Sequence, residues 1–407
     1  PFSSLSGREQ STDKEKKDYT VTENSIETPY YKMCFQPDAG RILELTDKKN
    51  GWSILDNSSE WTFFEFVSET IDPRYHKETR SSLFPRDVEL GNQSVSVWNH
   101  DWKARRRGID SVISWHIEES AHEATFVLRS KAFGVKNMEQ RITFSALHPR
   151  IGLQVIMEKE DIRTPESIYF AFPLNLEKGY QCCFDTAGLF VELDKDQLGA
   201  ACRDYITVDK TISLYDGAHG VTLACPDAPL IQVGDFHFAK ENRNIQRGVN
   251  PLLLAWPVNN YWDTNFWASQ PGHIELKYEF TAISGFDPVE AYKLSVSATD
   301  PVAMLEAVHC GKEESGTLIK CTAGGVIPHH IRRSQSPGSF VITLYNTKDG
   351  ESEFVYTSPR QKIRNAFLTN MLGEVLMAVP TIDDKSVKVI LPAKSLKKLR
   401  IEPEQPR

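Results

Sequence analysis

The sequence predicts an all-β protein: a large stack of antiparallel sheets followed by a smaller β-sandwich. Three observations predict it. Short runs alternating apolar with polar residues recur at intervals of about 10 to 15 residues, and turn-forming residues such as His148-Pro149-Arg150 stand between them. Helical periodicity is scarce, its best instance being the short stretch 302–309.

At 407 residues the chain exceeds one ordinary domain of about 100 to 200 residues, so two or three are expected. Residues 1–18 are polar and charged without periodicity, and read as a poorly ordered lead-in. From Tyr30 a meander follows, with turns at 37–40 and 47–51. Strands are expected at 88–97, 111–117, 124–128, 139–144, 152–159 and 167–173, the spacing of stacked antiparallel sheets. Residues 181–217 are less regular, and Asp185-Thr186-Ala187-Gly188 and Cys202-Arg203-Asp204-Tyr205 read as ordered loops. Strands resume at 207–214, 220–225, 230–233, 252–258 and 273–280. The loose stretch 310–325 marks a boundary, so 19–310 is expected as the large unit and 311–407 as the small one. The small unit has room for six strands, at 339–346, 353–357, 361–368, 373–378, 386–391 and 396–401. His329-His330 falls between the units and reads as a linker or loop feature.

The richest chemistry lies in the connector 259–267, Asn-Asn-Tyr-Trp-Asp-Thr-Asn-Phe-Trp, which joins the expected strands 252–258 and 273–280. It holds three amides, one carboxylate and four aromatic rings. Such a loop can offer a sugar its ring faces for stacking and its amides for hydroxyl groups. It can equally cap the end of a sandwich, with Asn and Asp satisfying backbone groups.

Composition excludes several classes. A net charge of -8 argues against a nucleic-acid partner, and the basic cluster 103–107 reads as a solvated loop face. No apolar run approaches the roughly 18 to 20 residues of a membrane span, and no basic-then-apolar leader opens the chain. The seven cysteines lack metal-ligand spacing and are expected reduced and buried, as in a cytoplasmic protein.

Catalytic motifs are absent: no G-x-S-x-G, no P-loop, no dinucleotide fingerprint, no H-E-x-x-H and no H-x-D. Asp235 and His237 could face one way from a single strand, yet two ligands do not make a metal site. Paired carboxylates remain, since glycoside hydrolysis needs two acids roughly 5 to 10 Å apart. Asp185, Asp204, Asp235 and Asp263 are the candidates by context.

Several separated motifs carry a resemblance. They are Tyr30-Tyr31-Lys32 through Phe35, Asp38, Gly40, Ile42, Leu45 and Asp47-Lys48; Cys202-Arg203-Asp204-Tyr205 with Asp216-Gly217; the stretch 220–229; and Asn259-Asn260-Tyr261-Trp262-Asp263-Thr264-Asn265-Phe266. Near the end come Val341, Leu344-Tyr345-Asn346, Leu396 and Leu399-Arg400. In this order they resemble the C-terminal half of glycoside hydrolase family 38, the α-mannosidases, from Tyr30 onward. The resemblance implies a β-supersandwich of galactose-mutarotase-like type followed by a small sandwich. It also implies that zinc and the nucleophile belong to an N-terminal barrel, a partner domain of the same protein, so no cofactor and no catalytic residue is expected in this chain. On that pattern Asn260, Tyr261, Trp262 and Asp263, with Arg247 near, would contact a mannoside-like glycan. The expected function is a support for that barrel, inactive alone. The alternatives are a stand-alone carbohydrate-binding module using Trp98, Trp102, Trp262 and Trp267, or a self-sufficient lyase, epimerase or hydrolase.

Overall fold

Strand Glu166–Pro173, Glu-Ser-Ile-Tyr-Phe-Ala-Phe-Pro, is buried at all eight positions. A strand turns successive side chains to opposite faces, so such burial requires cover on both sides. Ile168, Phe170 and Phe172 join one apolar cluster, and Tyr169 and Ala171 join another. The sheet containing this strand is thus the middle layer of the large unit.

The computed structural model describes residues 17–71, 104–199, 201–237, 247–260, 269–299, 320–334, 338–359 and 361–404. Among them the middle layer has six strands in the order Ile206–Thr207, Leu230–Val233, Leu252–Asn259, Glu166–Pro173, Glu65–Thr70 and Arg105–Arg107. A nine-stranded antiparallel sheet packs on its inner face, with Val135–Ser145, Ile151–Lys159 and Gly272–Ile283 adjacent near its centre. Rings interlock between the layers: Phe63 stands edge-on to Phe172 and Phe280 at 5.4 and 5.0 Å, and Phe172 stacks on Phe280. Each such ring withdraws a large apolar area from water and orients its neighbours. The N-terminal meander forms a five-stranded sheet whose Tyr31, Met33, Phe35 and Leu45 extend the same core.

One end of this core is closed by charge. Lys159, ending a strand of the nine-stranded sheet, meets Glu166, opening one of the six-stranded sheet, at 2.5 Å, with side chains 1% and 5% exposed. Burial pushes the Glu166 carboxyl up, while Lys159 opposes the shift. Gly134 allows the contact: at φ +74 a Cβ there would lie 2.8 Å from Ile162 and 3.3 Å from a Glu166 oxygen.

Past Lys320 the strands form a three-stranded and a five-stranded sheet, and they share a core of residues between Val326 and Ile401. The edge strand Val375–Ala378 is exposed throughout, and Met371, Leu372, Leu376 and Met377 are more than half exposed.

All-β architecture is as expected, with four local corrections. A helix absent from the sequence reading, Pro288–Thr299, stands among the described residues, capped by Asp287, whose Oδ1 accepts from Val289 N; the expected helical stretch 302–309 lies outside them. His329 and His330 belong to strand Val326–Arg333, not to a linker, with the register shifting between Pro328 and His330. The irregular region contains a hairpin, Gln181–Thr186 with Leu189–Glu192, turned by Ala187 and Gly188 at φ +50 and +75. Arg105–Arg107 is a strand of the six-stranded sheet rather than a solvated loop. The expected strand 88–97, residues 1–16 of the lead-in, and the segment 301–319 around the expected boundary fall outside the described residues.

Cys182, Cys183 and Cys225 are buried, Cys34 is half-buried and Cys202 is exposed, all as free thiols. Burial raises the Cys183 thiol to about 12 and the Cys182 and Cys225 thiols well above the ordinary range, which suppresses the reactive thiolate. Brief alkylation of the folded protein followed by peptide mapping should label Cys202 and spare these three until denaturant is added. Glu166→Gln leaves the Lys159 ammonium buried without its counter-charge and should cost about 3 to 5 kcal/mol in urea unfolding. The apolar pair Lys159→Met with Glu166→Leu should recover most of that loss, because neither charge remains to be desolvated.

Candidate functional site

The outer face of the six-stranded sheet departs from an ordinary apolar surface. Alternation on four strands brings Glu69, Ser167, Tyr169, Gln232 and Trp256 onto this one face among Val67, Ala171, Leu252 and Leu254. Tyr169 is fully buried and stacks on Trp256 with centroids 5.6 Å apart, while Phe236 meets it edge-on at 5.0 Å. Trp256 donates its indole N–H to Ser167 Oγ at 2.9 Å.

A hydrogen-bond chain crosses these rings. Gln232 Nε2 donates to the Tyr169 hydroxyl at 3.1 Å, and that hydroxyl donates to Glu69 Oε1 at 3.3 Å. Glu69 Oε2 accepts from Arg106 Nε at 2.6 Å, and the Arg106 guanidinium also lies 4.0 Å over the Phe236 ring. Gln232 Oε1 accepts from the backbone N–H of His237 at 2.7 Å, tying the irregular segment after strand Leu230–Val233 to the network. Burial, followed by the nearby Glu69 charge, holds the Tyr169 phenol well above its ordinary value, so it stays protonated and donating.

The floor is therefore tied together by its own hydrogen bonds, which link the polar groups to one another. Arg106, Asp204, Tyr205, Asp235 and His237 stand around it half-buried, with Tyr205 edge-on to Trp256 at 5.6 Å. The floor itself is buried, so a polyhydroxylated ligand would meet the half-buried rim, where Tyr205 offers a ring and Arg106, Asp204, Asp235 and His237 offer a guanidinium, carboxylates and an imidazole. Among the described residues no group of three or more His, Cys, Asp or Glu could hold a metal ion, so the donor set does not fit a zinc centre.

The sequence-derived candidates are placed as follows. Asn260 is buried; its Oδ1 accepts from Glu166 N at 2.6 Å and its Nδ2 donates to the Ile162 and Thr164 carbonyls at 2.8 and 2.9 Å. It thereby pins the start of the aromatic connector to segment 162–166. Tyr261, Trp262 and Asp263 lie outside the described residues, as do Trp98, Trp102 and Trp267. Arg247 is buried at the opposite end of strand Leu252–Asn259 from Asn260, about 25 Å away at about 3.3 Å per residue, so the structure does not bring the two together. Its guanidinium pairs with Asp194 at 3.0 Å and donates to the Arg203 carbonyl. Asp185 Oδ1 accepts from Lys210 N and Thr211 N, away from the Glu69–Tyr169 floor. Asp235 accepts from its neighbour Phe236 N, and Asp235 and His237 lie beyond the strand end rather than along it.

Glu69, Tyr169 and Gln232 were not among those candidates. A signal for them existed, because polar residues at alternate positions of otherwise apolar strands mark a second covered face.

No protein-family model matches the sequence, and no curated protein matches it. Solved structures do. An α-mannosidase from Enterococcus faecalis V583 is 13% identical with a TM-score of 0.63, over 93% of this chain and 42% of that one. A protein in the glycosyl hydrolase family 38 from Enterococcus faecalis is 14% identical with the same TM-score of 0.63, over 93% of this chain and 44% of its own. The fold is shared. This chain spans less than half the length of either structure, and at these identities the likeness concerns architecture. A galactose mutarotase-like protein from Lactobacillus casei ATCC 334 matches with a TM-score of 0.34 over 64% of this chain. No described helix is long and apolar enough to cross a membrane.

Asn260→Ala should strand a buried N–H and two carbonyls and cost about 2 to 3 kcal/mol in denaturant unfolding. Asn260→Asp should cost a similar amount, since a carboxylate cannot donate to the Ile162 and Thr164 carbonyls.

Proposed function

We propose that this chain is the β-sheet portion of an α-mannosidase-like protein of glycoside hydrolase family 38 type. It would support a catalytic domain and contribute a glycan-facing surface. The observation that carries this reading is a likeness covering 93% of this chain but only 42% and 44% of two glycosidase structures. The half-buried rim of the outer face supports it, because a tyrosine ring beside a guanidinium, carboxylates and an imidazole suits a sugar ring. Zinc, the nucleophile and the general acid would reside in the catalytic domain, and the ligand would be a mannoside-like glycan. Tyr205 and Arg106 at the rim, with Tyr261, Trp262 and Asp263 of the connector, would touch it, while the Glu69–Tyr169–Gln232 chain holds the floor still. Free thiols at Cys34, Cys182, Cys183, Cys202 and Cys225 suit a cytoplasmic protein.

A self-contained binding module is the second reading, favoured by the half-buried rim around an ordered floor. Titration with methyl α-D-mannoside and with a linear oligomannoside, together with an aryl α-mannoside assay, separates the readings. Supporting-domain behaviour is weak binding, reduced several-fold by both Tyr205→Ala and Trp262→Ala, with no hydrolysis in the presence of zinc. Turnover above blank that disappears with Asp263→Asn, or mannoside binding indifferent to both ring substitutions, overturns the proposal. Affinity for the oligomannoside far above that for the single sugar favours the module.

A further inference from the structure

A cavity of about 350 Å³ lies where the hairpin Gln181–Thr186/Leu189–Glu192 of the large unit meets helix Pro288–Thr299 and strand Val326–Arg333. Asp185, Asp209, Lys210, Tyr292, His329 and Tyr345 line it. The glycan-facing surface draws on none of these residues.

Much of this lining is fixed by bonds that leave ligand-binding capacity unspent. Asp185 spends Oδ1 on Lys210 N and Thr211 N, with the Thr211 side chain also beside the carboxyl, while the backbone bonds leave Oδ2 unspent. Asp209 accepts from Gly188 N through Oδ2, leaving Oδ1 likewise without a described partner. Tyr345 accepts from Phe190 N, which leaves its hydroxyl proton to be donated. The His329 ring lies against Tyr292, centroids 5.3 Å apart, and its nitrogens have no described hydrogen-bond partner. Gly188 keeps the space open: at φ +75, a Cβ there would sit 3.3 Å from His329 Nε2.

The chemistry defines the ligand class. Two carboxylates face one ammonium, and burial pushes the Asp185 carboxyl up, so the cavity carries little net charge and favours neither an anionic nor a cationic sugar. Burial and the neighbouring Lys210 charge lower the His329 basicity, so near neutral pH the imidazole offers one donor and one acceptor. Two acceptor carboxylates, a phenolic donor and an amphoteric imidazole beside tyrosine rings match vicinal hydroxyl groups on an apolar ring. The volume lies toward the small end of ligand pockets, which span about 300 to 1,000 Å³, and suits one ring rather than a chain.

We infer that this junction cavity binds one neutral monosaccharide, with hydroxyl groups paired to Asp185, Asp209 and His329 and one hydroxyl oxygen accepting from Tyr345. The site stands on its own lining and does not depend on the function proposed for the sheet face. Occupancy would bridge the two sets of sheets, because His329 and Tyr345 lie on strands of one, and Asp185 on a strand of the other with Asp209 just before strand Thr211–Tyr215.

The test is calorimetric titration of the protein with D-mannose, D-galactose and D-glucose, with glucose 6-phosphate and glucosamine as charge controls. NMR follows the His329 ring protons. At least one neutral hexose should bind saturably and shift the His329 resonances, and Asp209→Asn and His329→Ala should each weaken it about tenfold, a loss of about 1.4 kcal/mol. Neither glucose 6-phosphate nor glucosamine should bind better than that hexose. The inference falls if no hexose moves the His329 resonances of the unaltered protein at saturating sugar, or if glucosamine or the phosphate is preferred. A sugar held only on the sheet face would leave His329 silent, so failure here is distinct from failure of the proposed function.

Discussion

The structure depends on a sheet buried on both faces. Strand Glu166–Pro173 carries no exposed residue, and neighbouring Leu252–Asn259 is nearly as deep. The inner face must match the rings of the nine-stranded sheet, while the outer face must satisfy a second cluster that includes polar atoms. A shift of one residue would exchange the two sets, turning Tyr169 inward and Phe170 outward in the one strand and Trp256 inward in the other. Register is therefore fixed by two cores at once.

That double demand explains the polar network. A middle layer covered by hydrocarbon alone would be specified only by shape, whereas Tyr169 has a hydroxyl that must reach Glu69 and Gln232. Buried hydrogen-bonded groups are costly when misaligned, so such a chain selects one arrangement of the strands that carry it. The Lys159–Glu166 pair and Asn260 act similarly at the end of the core they close, where two sheets and a connector converge. Rigidity at the base of the aromatic connector follows from these bonds.

Much of the fold was legible in the sequence because alternation is a local property. Most strands of the large unit, and the meander ahead of them, follow from period-2 runs and their turns. What escaped has identifiable causes. Helix Pro288–Thr299 carries its start signal, Asp287-Pro288 with Glu290, but buries only Ala291, Leu294 and Ser295, a stripe too thin to register as periodic. The hairpin at Ala187-Gly188 uses alanine where Asn or Asp is the usual cue for positive φ. The site was less legible than the fold. Residue type singled out the connector and Arg247, yet Arg247 is spent on Asp194, and the Glu69–Tyr169–Gln232 chain exists only through pairings between strands far apart in sequence.

Strand Val375–Ala378 carries a different consequence. It ends its sheet with one row of backbone amides and carbonyls facing outward, and its Val-Leu-Met-Ala side chains, with Met371 and Leu372 before them, carry no charge to discourage a visitor. Proteins ordinarily blunt such rims with lysine, proline or a covering loop. Here Glu374 before the strand and Pro380 after it flank the apolar run without interrupting it, so at high concentration the small sandwich, rather than the deeply layered larger body, is where this polypeptide would begin to cling to extended strands of its neighbours.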